Sequence, residues 1–467
     1  MKDKGTGMTK GGIRARQVNL RRFVPRGALI GAGLVGLAVL SACQERQVIL
    51  PGQREAVDSV LTQTPGAAAQ EAVVVSDAVR DIQLPAQVAN ADAAQSFGTP
   101  DFRTDHPRLG TNLTQVFAVN IGAGDDRKHR IVADPVVAGG RVFTLDAQTT
   151  VTAVSTSGAV LWQRDILPDG ADEGDATGGG LAVEGDVLYV SSGFGALTAL
   201  EASTGRTKWV QKLEGTGSGR PIVFGDLVYV MAGDDTGWAL DKTNGRVAWQ
   251  VSASESPTNV LGAPAPVVVD GLTVFSFGSG EMQAVFRRGG LRRWDASVLG
   301  ERKGRALSKF DDVTGRPIAV DGVIYAGNQS GRTVAVSAGS GGRIWTTNEG
   351  AIDTVLPVGG SVFLVSDRNE LLRLDASDGT RIWGVELPNY VANKPSRQSE
   401  VFAHHGPILA GGRIIVASSD GVLRSFDPVS GALTGTTVIP NGASTAPVVA
   451  GQTLYLVTRK GQLIAYR

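Results

Sequence analysis

The sequence predicts an all-β protein, an eight-bladed β-propeller of four-stranded antiparallel blades whose ring is closed by an N-terminal strand in the last blade. Two observations lead to this prediction. A turn that carries glycine, followed four or five residues later by tryptophan, returns along the chain every 40 to 50 residues or so, a period typical of propellers and solenoids. Each repeat also has room for four short strands of alternating apolar and polar residues. Six of the seven tryptophans occupy one position of this repeat: Trp162, Trp209, Trp249, Trp294, Trp345 and Trp383.

The repeat around Trp383 shows the expected elements in order. Its strands are predicted at residues 354–358, 361–366, 370–375 and 380–385. Gly359-Gly360 and the Asp375 to Gly379 turn supply residues that tolerate the positive φ angles of tight hairpins. One such sheet cannot bury both of its faces, whereas blades stacked around an axis bury both and leave only short edges.

Counting the first strands predicts eight blades. These strands begin near Asp134, Gly180, Arg220, Ala263, Arg316, Thr354, Gly406 and Ala446, about 42 residues apart on average. The last repeat ends after three strands. A segment at residues 112–120 has no repeat of its own and carries Phe117 where the others carry tryptophan. We therefore expect it to supply the outer strand of the final blade.

The first 110 residues differ in composition from the ring. A basic head precedes an uncharged, mostly apolar run at residues 27–40, which is short for a membrane span and typical of a signal peptide. Leu40-Ser41-Ala42-Cys43 resembles a bacterial lipobox, with cleavage after Ala42 and a lipid on Cys43. The predicted organisation is a signal peptide at 1–42, the lipidated Cys43 and a flexible tether at 43–110, and the propeller at 111–467. A lipid-anchored protein of the outer membrane, facing the periplasm, is the expected location.

Composition narrows the function classes. Lysine plus arginine and aspartate plus glutamate each number 45, so the charge favours no nucleic-acid partner. Cys43 is the only cysteine, which excludes an intramolecular disulfide. Consecutive histidines, His404-His405, would point to opposite faces of a strand, and the acidic loop at 167–180 lacks a calcium-loop spacing. No catalytic residue, metal site or cofactor is predicted, although distant loops of a propeller can assemble a site.

The glycine–tryptophan repeat resembles that of the pyrroloquinoline-quinone-type propellers over residues 112–467. Within that superfamily, the lipobox makes the chain most similar to the BamB lipoproteins of the β-barrel assembly machinery. That resemblance implies a non-enzymatic scaffold that binds the periplasmic domains of a BamA-type, barrel-inserting subunit and aids insertion of outer-membrane β-barrel proteins, with their unfolded chains as further clients. The alternative is a periplasmic quinoprotein-like dehydrogenase or a ligand-binding propeller. The dehydrogenases typically carry an adjacent cysteine pair, which this chain lacks.

The resemblance also implies partner-binding loops before the fourth and fifth blades, at residues 257–264 and 308–317. Candidate contact residues there are Val260, Leu261, Phe310, Asp311 and Asp312, the apolar ones as anchors and the acids as partners for Arg or Lys. Asp312 matches the first family aspartate, whereas Thr314 replaces the second and Leu261 stands where the family has arginine. The alternative is that Val260 and Leu261 pack under their own blade and that the two aspartates cap a turn.

Overall fold

A computed structural model of the chain describes residues 77–172, 174–215, 219–233, 235–254, 263–300, 302 and 312–467. These residues belong to one compact unit that extends from Val74 to Arg467. The predicted lipidation site Cys43 and the loop residues Val260, Leu261, Phe310 and Asp311 lie outside the described residues. The predicted fold is confirmed: the described chain forms eight sheets of four antiparallel strands, a β-propeller.

The strands are numbered in chain order, and four of them make each blade. Strand β1 is Gln115–Asn120, and the first four blades comprise β2 to β5 (Val136–Ala138, Arg141–Leu145, Thr150–Ser155, Val160–Asp165), β6 to β9 (Gly179–Glu184, Val187–Ser192, Ala196–Glu201, Thr207–Lys212), β10 to β13 (Ile222–Phe224, Leu227–Ala232, Thr236–Asp241, Val247–Ser252) and β14 to β17 (Val267–Val269, Leu272–Ser276, Glu281–Phe286, Arg292–Ser297). The next four comprise β18 to β21 (Gly315–Val320, Val323–Asn328, Arg332–Ser337, Arg343–Thr347), β22 to β25 (Leu356–Val358, Ser361–Val365, Glu370–Asp375, Arg381–Glu386), β26 to β29 (His404–Ala410, Arg413–Ser418, Val422–Phe426, Leu433–Val438) and β30 to β32 (Val448–Ala450, Thr453–Val457, Gln462–Tyr466). The helical content of the described chain is two short 3-10 turns, Pro100–Phe102 and Pro395–Arg397.

The ring closes as predicted, through a strand from the N-terminal side. Strand β1 pairs antiparallel with β32 and completes blade 8, with Phe117 opposite Ala465. The Thr114 amide donates to the Arg467 carbonyl at 2.8 Å, and the Arg467 amide returns a bond to Thr114 at 2.9 Å. The two ends of the ring are therefore joined by a hydrogen-bonded ladder.

Apolar side chains fill the space between successive blades. Each of eight buried clusters spans two neighbouring blades, and one of them joins blade 8 to blade 1 through residues such as Val142, Val154, Tyr455 and Leu463. Burial of both faces explains why the inner strands are almost continuously apolar. The hydrophobic effect thus acts between blades, around the whole ring.

The repeat tryptophans hold adjacent blades together. Each of the six lies under the left-handed glycine in the turn between the third and fourth strands of the next blade, as Trp345 lies under Gly379. The Trp345 Nε1 group also donates to the Ala376 carbonyl of that turn at 2.8 Å. Phe117 of β1 meets Gly158 of blade 1 in the same way. The motif that predicted the fold is therefore an interblade contact.

Residues 77–110 differ from the prediction, which assigned them to the flexible tether. They belong to the same compact unit as the ring and are bound to it by hydrogen bonds. The Ala93 amide and carbonyl, for example, pair with the carbonyl and amide of Val137 at 2.8 and 2.9 Å. The physical reason is that the innermost strand of each blade has an unpaired edge, and these residues supply partners for it. The prediction for residues 43–76 lies outside the described residues.

Candidate partner-binding site at the mouth of the channel

The described ends of both predicted binding loops lie on the same face of the ring. Strands alternate in direction within a blade, so the connections between blades share one face with the turns between second and third strands. We call this the mouth face, because the central channel opens there as a cavity of about 600 Å³. Pro264, at the described end of the first loop, and Thr314, at the described end of the second, line this opening.

The sequence predicts Asp312 as an acid that contacts the partner, but the structure places it in a buried environment. Its side chain is buried, with the residue 5 % exposed, and it interacts with another group of the chain. Val313 next to it is fully buried, and the Thr314 hydroxyl donates to the Ala351 carbonyl at 2.8 Å. This end of the second loop is thus fastened to the ring, as in the alternative in which the aspartate holds a turn.

A third connection at the mouth was not singled out from the sequence. Residues 387–403 join blades 6 and 7 and fold back as a short hairpin in which Tyr390 bridges Val401. The Val391 amide donates to the Glu400 carbonyl at 3.0 Å, and the Phe402 amide to the Asn389 carbonyl at 2.8 Å.

Apolar side chains project from this hairpin. Tyr390, Val391 and Val401 are 41, 44 and 51 % exposed, and the two valines line the channel opening. Its length of 17 residues, the same as that of the connection between blades 4 and 5, was the available sequence signal. Exposed apolar side chains on an anchored hairpin resemble the contact residues of protein interfaces.

Ion pairs cross the channel below the mouth. Arg316 forms a two-pronged pair with Asp134 and a second pair with Asp353, at 2.6 Å from its Nε. Arg220 lies 3.5 Å from Asp134 and donates to the Val132 carbonyl at 2.8 Å. These residues come from the starts of first strands in four different blades, so the propeller symmetry brings them together.

The electrostatics of this layer keep Asp134 and Arg316 ionised. Burial favours the neutral form of Asp134, but the Arg316 and Arg220 guanidiniums outweigh it and hold the pKa of Asp134 below its usual range. For Arg316, burial is likewise outweighed, by Asp134 and Asp353, and its pKa is raised. Each carboxylate therefore already has an arginine partner.

The consecutive histidines occupy different environments, as their alternation along a strand requires. His404 is bound between the Ser418 hydroxyl and the Pro388 carbonyl, at 2.6 and 2.8 Å. Burial lowers its pKa to about 4. His405 instead lies toward Asp353, at 3.9 Å, and burial lowers its pKa as well. The two imidazoles do not bind a common partner.

Among the residues that the structure describes, no three His, Cys, Asp or Glu side chains lie close enough together to form a candidate metal site. No helix in this part of the chain has the length and apolar character that crossing a bilayer requires.

Several known proteins resemble this chain in sequence over most of the propeller. The chain is 24 % identical to the outer membrane protein assembly factor BamB of Yersinia pestis over 363 residues, covering 76 % of this chain and 88 % of the relative. It is 29 % identical to BamB of Escherichia coli (strain K12) over 355 residues, covering 74 and 87 %.

Solved structures show the same fold. BamB from Moraxella catarrhalis superposes with a TM-score of 0.62 at 19 % identity, covering 76 % of this chain and all of that one. The quinohemoprotein alcohol dehydrogenase of Comamonas testosteroni superposes with a TM-score of 0.59 at 15 % identity, covering 80 % of each. At such identities the likeness concerns the fold alone. The family model for outer membrane protein assembly factor BamB matches residues 147–385 and 392–467. The chain therefore belongs to the BamB family of outer membrane protein assembly factors.

Proposed function

We propose that this protein is a non-catalytic scaffold that assists the assembly of outer-membrane β-barrel proteins by binding a BamA-type subunit. Family membership over most of the ring carries this proposal, since the relatives are outer membrane protein assembly factors by name. The closed ring suits the role because its connections between blades share one face, where a partner could contact several of them at once.

The proposed binding surface is the mouth face. Its members are the loop residues Val260, Leu261, Phe310 and Asp311, and the hairpin that carries Tyr390 and Val401. Support comes from the described ends of both loops, which flank the channel opening together with that hairpin. Since Asp312 is buried, its proposed part is to hold the second loop in place, and Asp311 is the acid that would pair with a basic side chain of the partner.

The proposed location is the periplasmic face of the outer membrane, with a lipid on Cys43 as the anchor. A lipobox followed by 33 residues before Asp77 supports a tethered ring. Changing Cys43 to serine should release the protein from the membrane fraction. Continued sedimentation of the serine variant with outer membranes in high salt would contradict a lipid anchor.

The test of partner binding is affinity capture from native membranes in mild detergent. We expect the tagged protein to recover a barrel-inserting outer-membrane protein with periplasmic domains. Purified periplasmic domains of that subunit then allow the affinity to be measured by calorimetry. Replacing both Leu261 and Phe310 by aspartate should weaken binding by about 30-fold or more, as the loss of anchor residues does.

A matched control separates the binding face from a general effect of charge. Asp295 lies exposed on the outer strand of blade 4, where it pairs with Arg292. Asp295→Arg should leave the affinity unchanged, whereas Asp311→Arg should reduce it. Equal effects of the two reversals, or recovery of no such subunit together with a quinone absorbance in the purified protein, would refute the proposed function.

A further inference from the structure

The channel has a second end, on the face opposite the mouth, and residues 77–110 lie across it. This face carries the turns between first and second strands, and the segment contacts several of them. The Gly451 amide of blade 8 donates to the Asn90 carbonyl at 2.7 Å, and the Gly411 amide of blade 7 donates to the Pro107 carbonyl at 3.0 Å. In blade 1, the Gly139 amide donates to Asp92 Oδ1 at 3.0 Å.

The segment makes a repeated contact with the ring. In five blades it accepts a hydrogen bond from the amide at one equivalent position of the first strand, two residues before the glycine or aspartate of the turn. These amides belong to Val137, Val183, Val223, Val268 and Ala319. Each residue is paired on its other side with the second strand, so the hydrogen bond satisfies the inner, otherwise open edge.

Side chains of the segment take part where its backbone does not reach. The Gln95 amide group imitates a strand partner for Val223, because it accepts from the Val223 amide at 2.7 Å and donates to the Val223 carbonyl at 3.2 Å. Gln95 is itself buried, at 9 % exposed. The Thr99 hydroxyl accepts from Val268 at 3.0 Å, and Asn90 donates to the Val449 carbonyl at 2.7 Å.

Blade 6 holds the segment through a side chain rather than through a backbone amide of its first strand. Pro357 stands at the equivalent position of its first strand, and proline has no amide hydrogen to donate. Instead the fully buried Arg373 donates to the carbonyls of Arg80 and Asp81, and to Pro428 and Val429 of blade 7. The guanidinium thus binds the start of the segment to two blades at once.

A thin ion-paired layer separates the two ends of the channel. Asp134, Arg220 and Arg316 line the large cavity at the mouth, and they also line a small cavity of about 90 Å³ that lies beneath the segment. Phe97 and Phe102 of the segment lie against this small cavity, with Leu356 and Val449 of the ring.

We propose that residues 77–110 are a built-in plug that closes one end of the central channel, so that the channel is a blind pocket open only at the mouth face. The plug is held by backbone edges that a propeller without it would leave exposed along its axis. Any molecule that enters the channel, including a segment of a partner bound at the mouth, is therefore confined to the mouth side of the ion-paired layer.

Thiol labelling tests the plug on the mature chain. Cys43 is the only cysteine, so a Cys43→Ser background carries no thiol. Val449→Cys, at a position 5 % exposed beneath the plug, reports on the closed end, and Val401→Cys, at a position 51 % exposed, reports on the mouth. A small aromatic disulfide reagent should label the cysteine at 401 at least about 100-fold faster, because reaction at 449 requires local opening.

Loosening the plug should remove this difference. Replacing residues 89–104 by a Gly/Ser segment of equal length should raise the labelling rate at position 449 toward that at 401, and leave the rate at 401 unchanged. The milder double variant Asn90→Ala with Gln95→Ala should raise the rate at 449 about tenfold, in proportion to the more frequent opening. The second variant decides the test if the first does not fold.

Two results would overturn the proposal. One is rapid labelling at position 449 in the intact chain. The other is an unchanged rate at 449 in the double variant, with circular dichroism showing a folded ring. Neither measurement depends on the BamA-type partner, so failure of the plug leaves the proposed function standing, and the reverse also holds.

Discussion

Gly379→Ala should destabilise the ring more than the same substitution at Gly360, although both glycines belong to tight turns of blade 6. Their φ angles are nearly equal, +74° and +71°, so each alanine bears the same left-handed strain. The surroundings differ, since a Cβ on Gly379 would lie 2.6 Å from Cε3 of Trp345, and nothing lies within 4 Å of one on Gly360. The comparison therefore isolates the tryptophan contact.

The expected costs follow from these geometries. The left-handed backbone alone costs an alanine about 1–2 kcal/mol, which is the prediction for Gly360→Ala. Crowding against a packed ring adds about 1–3 kcal/mol, so Gly379→Ala should cost about 2–5 kcal/mol. Urea unfolding of the wild type and both variants, followed by intrinsic fluorescence and by circular dichroism, measures the two losses in the free energy of unfolding.

A double-mutant cycle completes this test. Trp345→Ala alone should cost about 3–5 kcal/mol, because it leaves a cavity between blades 5 and 6. In that background the added cost of Gly379→Ala should fall to that of backbone strain, about 1–2 kcal/mol. Equal costs for the alanines at 379 and 360 in the wild-type background, or strict additivity in the cycle, would refute the interblade role of the motif.

Three other predictions concern closure, charge and pH. Deleting residues 111–121 removes β1 and should abolish cooperative unfolding, so an unchanged melting curve would count against closure by that strand. Arg316→Met leaves two carboxylates buried without their shared partner and should cost about 3–5 kcal/mol, whereas Arg292→Met, at an exposed pair, should cost less than about 1 kcal/mol in the same urea titration. Burial lowers the pKa of His404 from 6.5 to about 4, so the unfolded chain gains a proton between these pH values while the folded chain does not. Stability should therefore decline as the pH falls through this window, by up to about 3 kcal/mol from this residue. His404→Asn should flatten that part of the pH profile of stability, and an unchanged profile in this variant would show that the folded chain already holds the histidine protonated.

The ring was predictable because the residues that make its main interblade contacts lie close together in the sequence and recur in each repeat. A glycine turn and a tryptophan occur within a few residues of each other, and the same spacing returns in six blades. Strand alternation then assigns the remaining positions, and the predicted strands around Trp383 agree with Leu356–Val358, Ser361–Val365, Glu370–Asp375 and Arg381–Glu386 to within two residues.

The plug was not predictable in this way because its partners are distant in sequence. Gln95 binds Val223, 128 residues away, and Arg373 binds Asp81 across 292 residues. Its own sequence has neither the period of a strand nor that of a helix, and it is rich in alanine and aspartate, with three prolines, which resembles the composition of linkers. Only the open edges of the first strands, which no local pattern reveals, give these residues a defined position.

The candidate binding site was partly accessible from sequence. The loops before blades 4 and 5 were placed by resemblance, and the described ends of both do lie at one channel opening. The burial of Asp312 depends on how its loop returns to blade 5, and sequence spacing does not contain that information. The hairpin of Tyr390 and Val401 lies between blades 6 and 7, far along the chain from either loop, and the circular arrangement of the blades brings it to the same channel opening.

Blade 7 departs from the repeat, and the position of the chain ends gives the reason. Gly435, opposite Ser425, stands where six other blades carry tryptophan. Such a tryptophan would need a glycine turn between the third and fourth strands of blade 8. That blade has no such turn, because its third strand ends at Tyr466 and its fourth, β1, comes from residues 115–120. The contact is made from the other side instead, as the Tyr466 hydroxyl donates to the Val438 carbonyl at 2.8 Å. The missing tryptophan thus marks the blade that precedes the one closed by β1, and a repeat alignment alone should locate the closing blade in propellers built from this motif.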